Sequence, residues 1–181
     1  MPRTRIFLVT GRPGSGKTTL LLRVAEKLKG AGLKVGGMIT REVRVGGVRV
    51  GFEILDLASS RRGTLASKGE GKPRVGKYVV NLEDLEGVGV EAILEALKDA
   101  DVVFIDEVGP MELYSKRFRE AVRQASNSGK PLLVTVHYRV RDPLIEELKA
   151  RPEARLLEVS PENRDRLVEA LALEVQRLLS G

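Results

Sequence analysis

The chain has 181 residues, 42% of them hydrophobic and 31% charged, with a formal net charge of +6 and no cysteine. That length suits one well-buried core rather than two, and no apolar run reaches the roughly 18 residues a membrane-spanning helix needs. Without cysteine there is neither a disulfide framework nor a thiolate metal site, and a single histidine excludes the usual histidine-rich zinc centres.

Met1-Pro2-Arg3-Thr4-Arg5 runs directly into the apolar stretch Ile6–Thr10, which reads as a first strand and is too short for a signal peptide. The simplest compartment is the cytoplasm. Leu20, Leu21, Val24 and Leu28 share one helical face, with Gly30 placed to end that helix, and Leu33–Thr40 reads as a second strand. From Arg41 the pattern changes. "REVRVGGVRVGFEILDL" alternates around Gly46-Gly47, a hairpin signal, and "TLASK" and "KYVVN" add two short β-like runs. Residues 41–81 are therefore expected to be a β-rich insertion on an α/β core, within one domain spanning 1–181. Some 40 residues are marginal for a core of their own.

A helix is expected around Val90–Ala100, then a buried strand over Val102–Ile105. Ser115 is placed to cap a helix whose Phe118, Ala121, Val122 and Ala125 share a face, and Gly129 to stop it. Leu132–Val136 is another buried strand, Pro143–Ala150 a short helix, and Arg155–Val159 a last strand. Ser160-Pro161-Glu162 has the composition of a helix start, and Leu167, Val168, Leu171, Val175 and Leu178 form the stripe behind it. Alternation of strands and helices predicts an α/β fold with a mostly parallel central sheet flanked by helices.

Two motifs carry the chemistry. Gly11-Arg12-Pro13-Gly14-Ser15-Gly16-Lys17-Thr18 matches G-x-x-x-x-G-K-[ST] and sits between a predicted strand and a predicted helix, the context its mechanism requires. Its backbone N–H groups and the helix dipole suit phosphate oxygens. Lys17 is expected to reach the β- and γ-phosphates, and Thr18 to ligate Mg²⁺. The second motif is Val103-Phe104-Ile105-Asp106-Glu107-Val108-Gly109-Pro110, an apolar run ending in adjacent acids. Asp106 is expected to serve Mg²⁺. In one large division of phosphate-loop ATPases the following acid, here Glu107, polarises the attacking water, and its plainer alternative is a structural acid pairing with a nearby arginine.

Thr135 ends the strand beside this edge and is a candidate γ-phosphate contact, its bland reading being a strand filler. His137 reads as a loop residue. Transition-state charge asks for a further cation, for which Arg41, Arg44, Arg62, Arg117 and Arg164 are candidates. From Arg41 to Lys77 nine Lys/Arg face four acids, +5 of the total charge. Such a segment suits an anionic partner, a nucleotide or nucleic acid, and equally the charged surface of a heat-adapted protein.

With both motifs placed, the chain resembles the small nucleoside-triphosphatase family first known from thermophiles, whose vertebrate member is the cancer-related nucleoside-triphosphatase. "VTGRPGSGKTTLL", "GGMITREVRVGGVRVGFEILDL", "FIDEVGPMELYSKRF" and "VSPENRDRL" carry the resemblance in order along nearly the whole chain. It implies a RecA-like variant of the P-loop NTPase fold and Mg²⁺-dependent hydrolysis of ATP, GTP and other nucleoside triphosphates. By the same resemblance Gly11–Thr18 bind phosphates, Asp106 serves Mg²⁺, Glu107 activates water, and Arg41, Met111, Glu112 and Arg164 lie near the site. A nucleotide or nucleoside kinase and an ATP-switched nucleic-acid-binding protein are the alternatives. The latter is disfavoured by aromatics at only 4% of residues, few of them in the basic segment. Sequence alone assigns no oligomeric state, and a monomer is compatible with it.

Overall fold

In the computed structural model, which describes residues 2–181, the apolar run Ile6–Thr10 forms β1, buried except at Thr10. The loop after it opens α1 (Lys17–Gly30), whose Leu20, Leu21, Val24, Ala25 and Leu28 are buried at helical spacing. Gly30 lies inside the last turn rather than ending it. Gly32 takes the left-handed conformation (φ 86°), and the N–H of Leu33 donates back to the Leu28 carbonyl at 3.0 Å, closing the helix.

β2 (Val35–Val45) runs straight through the expected boundary at Arg41 and turns at Gly46-Gly47 into β3 (Val48–Asp56). Both glycines have positive φ (58° and 79°), as a two-residue hairpin turn demands. β4 (Arg62–Lys68), β5 (Arg74–Val75) and β6 (Tyr78–Val80) follow, all antiparallel to their neighbours. Residues 82–89, absent from the predicted elements, lie in α2 (Leu82–Asp84) and a π-helical turn (Leu85–Val90) leading into α3 (Glu91–Asp99). Asn81 caps this segment by accepting from the Asp84 N–H at 2.9 Å.

The remaining elements are β7 (Val102–Val108), a 3₁₀ turn (Glu112–Tyr114), α4 (Lys116–Ser126), β8 (Leu132–Val136), α5 (Pro143–Ala150), β9 (Ala154–Glu158) and α6 (Arg164–Ser180). Ser115 caps α4 as expected, accepting from the Phe118 N–H at 3.0 Å. The last helix starts later than Ser160. There the Ser160 N–H donates to Asn163 Oδ1 at 2.8 Å and the Asn163 N–H to Ser160 Oγ at 3.3 Å. This reciprocal pair closes a separate turn, so α6 begins only at Arg164.

The strands form one sheet in the order β5-β6-β4-β3-β2-β7-β8-β1-β9. β2, β7, β8, β1 and β9 are parallel, the arrangement of a RecA-like P-loop NTPase, and the antiparallel strands extend the sheet beyond β2. β8 therefore stands between the strand that feeds the phosphate loop and the strand that carries the acids. α1 and α6 cover one face around Phe7, Phe104 and Leu133, while α3, α4 and α5 cover the other around Phe118, Ile105 and Val134. Among the described residues no helix is long and apolar enough to cross a membrane.

Candidate functional site

The phosphate loop leaves β1 at its C-terminal end, where parallel strands of such sheets direct their loops towards ligands. A Cβ at Gly11 would lie 2.7 Å from the Val159 carbonyl oxygen, so only glycine fits between β1 and the end of β9. The Ser15 N–H donates to the Arg12 carbonyl at 3.0 Å, and Gly14 and Gly16 take positive φ (80° and 98°). Gly16 caps α1 without any side-chain hydrogen bond, so the first N–H groups of the helix stay available to an anion. Arg12, Pro13 and Gly14 are exposed at the rim, whereas Ser15 is buried with its hydroxyl unpartnered.

Lys17 points back across this loop. Its Nζ donates to the Gly11 carbonyl at 3.1 Å and to Oε2 of Glu107 at 3.2 Å. Thr18 takes the other acid, its hydroxyl donating to Oδ2 of Asp106 at 2.8 Å. Oδ1 of Asp106 accepts from the Thr135 hydroxyl at 2.6 Å, and the Thr40 backbone N–H approaches Oδ2 at 3.4 Å. Asp106 is thus held from β2, β8 and α1 at once.

How two adjacent residues both reach the loop is explained by register. Consecutive side chains on a regular strand point to opposite faces. Ile105 pairs with Val134 but Val108 with Val136, so β7 spends one residue more than β8 across Asp106 and Glu107. This bulge re-aims the acids, and Val108 returns to the same side of the sheet as Ile105. The peptide bond between the two acids is cis. The acids lie within the strand rather than after it, since β7 runs on to Val108, three residues past its expected end at Ile105.

Burial raises the Asp106 carboxyl from its ordinary 3.8 to about 6. The Thr135 hydrogen bond opposes that, the Glu107 charge adds to it, and Thr18 and Thr40 oppose it again. A raised acid keeps its proton in the folded protein where the unfolded chain has lost it. Stability of the metal-free protein therefore falls as pH rises from about 4 to about 6, by about 2–3 kcal/mol, and stays lower above. Asp106→Asn removes this ionisation while its amide still meets both hydroxyls. Metal-free Asp106→Asn is expected to melt a few degrees above the wild type at pH 7.5, with the gap closing towards pH 4. Thermal melts across pH check this, and a lower melting point for the variant at every pH would contradict it. The donors Thr18 and Asp106 are hard oxygens, the kind Mg²⁺ takes.

The candidate cations separate cleanly. Arg164, the first residue of α6, lies on the loop: a Cβ at Gly16 would meet its Cδ at 2.8 Å and Nη1 at 2.9 Å, and its buried Nε has no hydrogen bond, only a loose 3.8 Å approach to exposed Asp165. Arg41 follows Thr40 on β2, pairs with Glu53 at 3.3 Å and keeps Nε unpartnered. Arg44 pairs with Glu42 and Arg117 with Glu91, while Arg62 approaches the same Glu53 as Arg41, at 3.7 Å. Thr135 spends its hydroxyl proton on Asp106 instead of facing a phosphate. His137 is a loop residue, its Nδ1 accepting from the Arg139 and Val140 N–H groups.

In the basic segment, Arg49 lies over Phe52 and Tyr78 (5.2 and 5.4 Å to the ring centroids) and donates to the Tyr78 hydroxyl. That packing covers the segment's aromatic pair, and Tyr78 is buried. One participant escaped the motifs: Thr40 acts through its backbone, which leaves no side-chain signal. Glu112, which the resemblance sets near the site, is buried close to the acids.

A family model described as "NTPase" matches residues 6–172. The chain belongs to this nucleoside-triphosphatase family. It is 52% identical to the Nucleoside-triphosphatase THEP1 of Thermofilum pendens, over 96% of this chain and 97% of the relative. It is 49% identical to the protein of the same name from Methanocaldococcus jannaschii, over 98% of each. The crystal structure of THEP1 from the hyperthermophile Aquifex aeolicus superposes with a TM-score of 0.80 at 37% identity, covering 92% of this chain and 96% of that one. The solution structure of a human cancer-related nucleoside triphosphatase gives the same TM-score at 38% identity, covering 97% and 98%. The resemblance carried by the motifs is therefore a family relationship over the whole NTPase, loop and acid pair included.

Proposed function

We propose that this NTPase hydrolyses nucleoside 5′-triphosphates, ATP and GTP among them, to diphosphate and orthophosphate, in a Mg²⁺-dependent reaction for which Glu107 is the general base. The observation that carries this reading is the division of the two acids. Asp106 is buried on Thr18, on the side a metal would occupy, while Glu107 stays partly exposed and meets Lys17 at the mouth of the loop.

The N–H groups of Gly14, Gly16, Lys17 and Thr18, at the open end of α1, bind the β- and γ-phosphates, and Lys17 turns from Glu107 to their oxygens. Thr18 and Asp106 would hold Mg²⁺, which when bound neutralises charge on the β- and γ-oxygens. Glu107, released from Lys17, accepts the proton of a water whose oxygen forms the new bond to the γ-phosphorus. The bond to the β,γ-bridging oxygen breaks as the diphosphate leaves. Arg164, already against Gly16, supplies positive charge to the transferring group.

Phosphate release with Mg²⁺-ATP and no other acceptor tests the reaction class. Steady release supports hydrolysis, and release only after a nucleoside or nucleotide is added would establish a kinase instead. Among the arginines, Arg164→Ala is expected to lower turnover by about 10²-fold. Arg117→Ala, an exposed partner of Glu91, is expected to stay within about twofold of the wild type. Equal losses from the two in a steady-state assay would remove Arg164 from the site.

A further inference from the structure

The mechanism above leaves two buried carboxyl groups unused, of which Asp56 accepts from the Ala58 and Ser59 N–H groups and Glu112 lies near the acid pair. Glu112 is 3% exposed, opens the 3₁₀ turn after β7, and has no ion-pair partner among the described residues. An isolated ionised carboxylate in such a place costs several kcal/mol, so a buried acid without a cation either finds one or keeps its proton. Burial first, then the Glu107 charge, push the Glu112 carboxyl well above the ordinary carboxylate value.

Its position matters more than its burial. A Cβ built on Gly109 would lie 3.1 Å from Oε1 of Glu107 and 3.3 Å from Oε1 of Glu112, so both carboxyl groups lie against Gly109. The turn that brings them there is closed by the Leu113 N–H donating to the Gly109 carbonyl at 3.0 Å. Glu107 is thereby divided: Oε2 meets Lys17, and Oε1 lies at Gly109, where the Glu112 carboxyl also comes. Once phosphates draw Lys17 away, the Glu112 side is what remains to orient the base.

We propose that Glu112 is a positioning residue, a neutral carboxyl that donates a hydrogen bond to Oε1 of Glu107 and so directs Oε2 at the attacking water. This inference rests on the reading of Glu107 as the base. An amide can replace a neutral acid as donor, whereas a thioether of similar volume cannot. Misplacing a catalytic group by about 1 Å costs on the order of 10²-fold in rate. Glu112→Met is therefore expected to lower kcat roughly 10–100-fold with nucleotide affinity and KM little changed. Glu112→Gln is expected to turn over at least about ten times faster than Glu112→Met. In a Glu107→Gln background the methionine substitution should cost nothing further, because the group it positions is already gone.

The test is kcat, KM and the affinity for a fluorescent triphosphate analogue in these variants, with melting temperature as a check on folding. Turnover by Glu112→Met equal to the wild type would overturn the proposal, as would a Gln variant as slow as the Met variant. A full further loss in the Glu107→Gln background would also overturn it. If Glu107→Gln itself leaves turnover intact, it is the reading of the base that fails. If Glu107→Gln is inactive while Glu112→Met is fully active, only the positioning role fails.

Discussion

Glu107→Gln is expected to bind nucleoside triphosphates as tightly as the wild type while turnover falls by about 10²–10⁴-fold, the usual contribution of a general base. The glutamine side chain fits the same space and keeps an oxygen for Lys17, so the 3.2 Å contact survives in a weaker, uncharged form. What is lost is a carboxylate able to take a proton from water. Lys17 is, if anything, freer to meet phosphate oxygens, so affinity is not expected to drop. Titration with a fluorescent nucleotide beside a phosphate-release assay separates the two quantities. Turnover within a few-fold of the wild type would return Glu107 to a structural role as the partner of Lys17.

Lys17→Ala should behave differently because it removes a group used in both ground and transition states. The loop loses its only ammonium, and the Gly11 carbonyl and Glu107 lose their donor. A charge-assisted hydrogen bond contributes about 1.5–3 kcal/mol, so affinity is expected to fall roughly 10–100-fold. The transition state concentrates charge on the same oxygens, and kcat is expected to fall by a further 10²–10³-fold or so. Glu107, no longer facing a cation, would also sit beside triphosphate charge without a counter-ion. A variant that bound nucleotide normally, whatever its rate, would place Lys17 outside the phosphate site.

The phosphate loop was legible because its geometry dictates residue types. Positive φ at Gly14 and Gly16 and the tight approach of Gly11 to Val159 admit little except glycine, and such constraints survive as a pattern of letters. Asp106 was legible for a similar reason, as a charge ending an apolar run. The bulge at Asp106-Glu107 was not. It is an offset of β7 against β8, a strand some thirty positions further along, and pairing offsets leave no mark in either strand alone. Thr135 looked like a phosphate contact because strand position was readable and hydroxyl direction was not, and its proton goes to Asp106.

Helix limits failed where local side-chain bonds competed with the helix. Gly87 and Gly89 hid the segment from Leu82 to Val90, although Asn81 capped it. Ser160 and Asn163 closed a turn of their own and delayed α6 until Arg164. That delay has a consequence for the site, since it sets Arg164 at the head of the helix and against Gly16. Among the five candidate arginines nothing in the sequence ranked it first. Its packing against Gly16 did the sorting, while Arg44 pairs with its strand neighbour Glu42 and the fold gives Arg62 and Arg117 to Glu53 and Glu91.

In the proposed reaction water, activated by Glu107, attacks the γ-phosphorus with no other acceptor present. Hydrolysis of Mg²⁺-ATP in ¹⁸O-enriched water, with both products analysed by mass, tests it most directly. The expected result is one solvent oxygen in the released orthophosphate and none in the diphosphate, at a rate that collapses in Glu107→Gln. Solvent oxygen in the diphosphate, or no orthophosphate until a nucleoside acceptor is supplied, would contradict it.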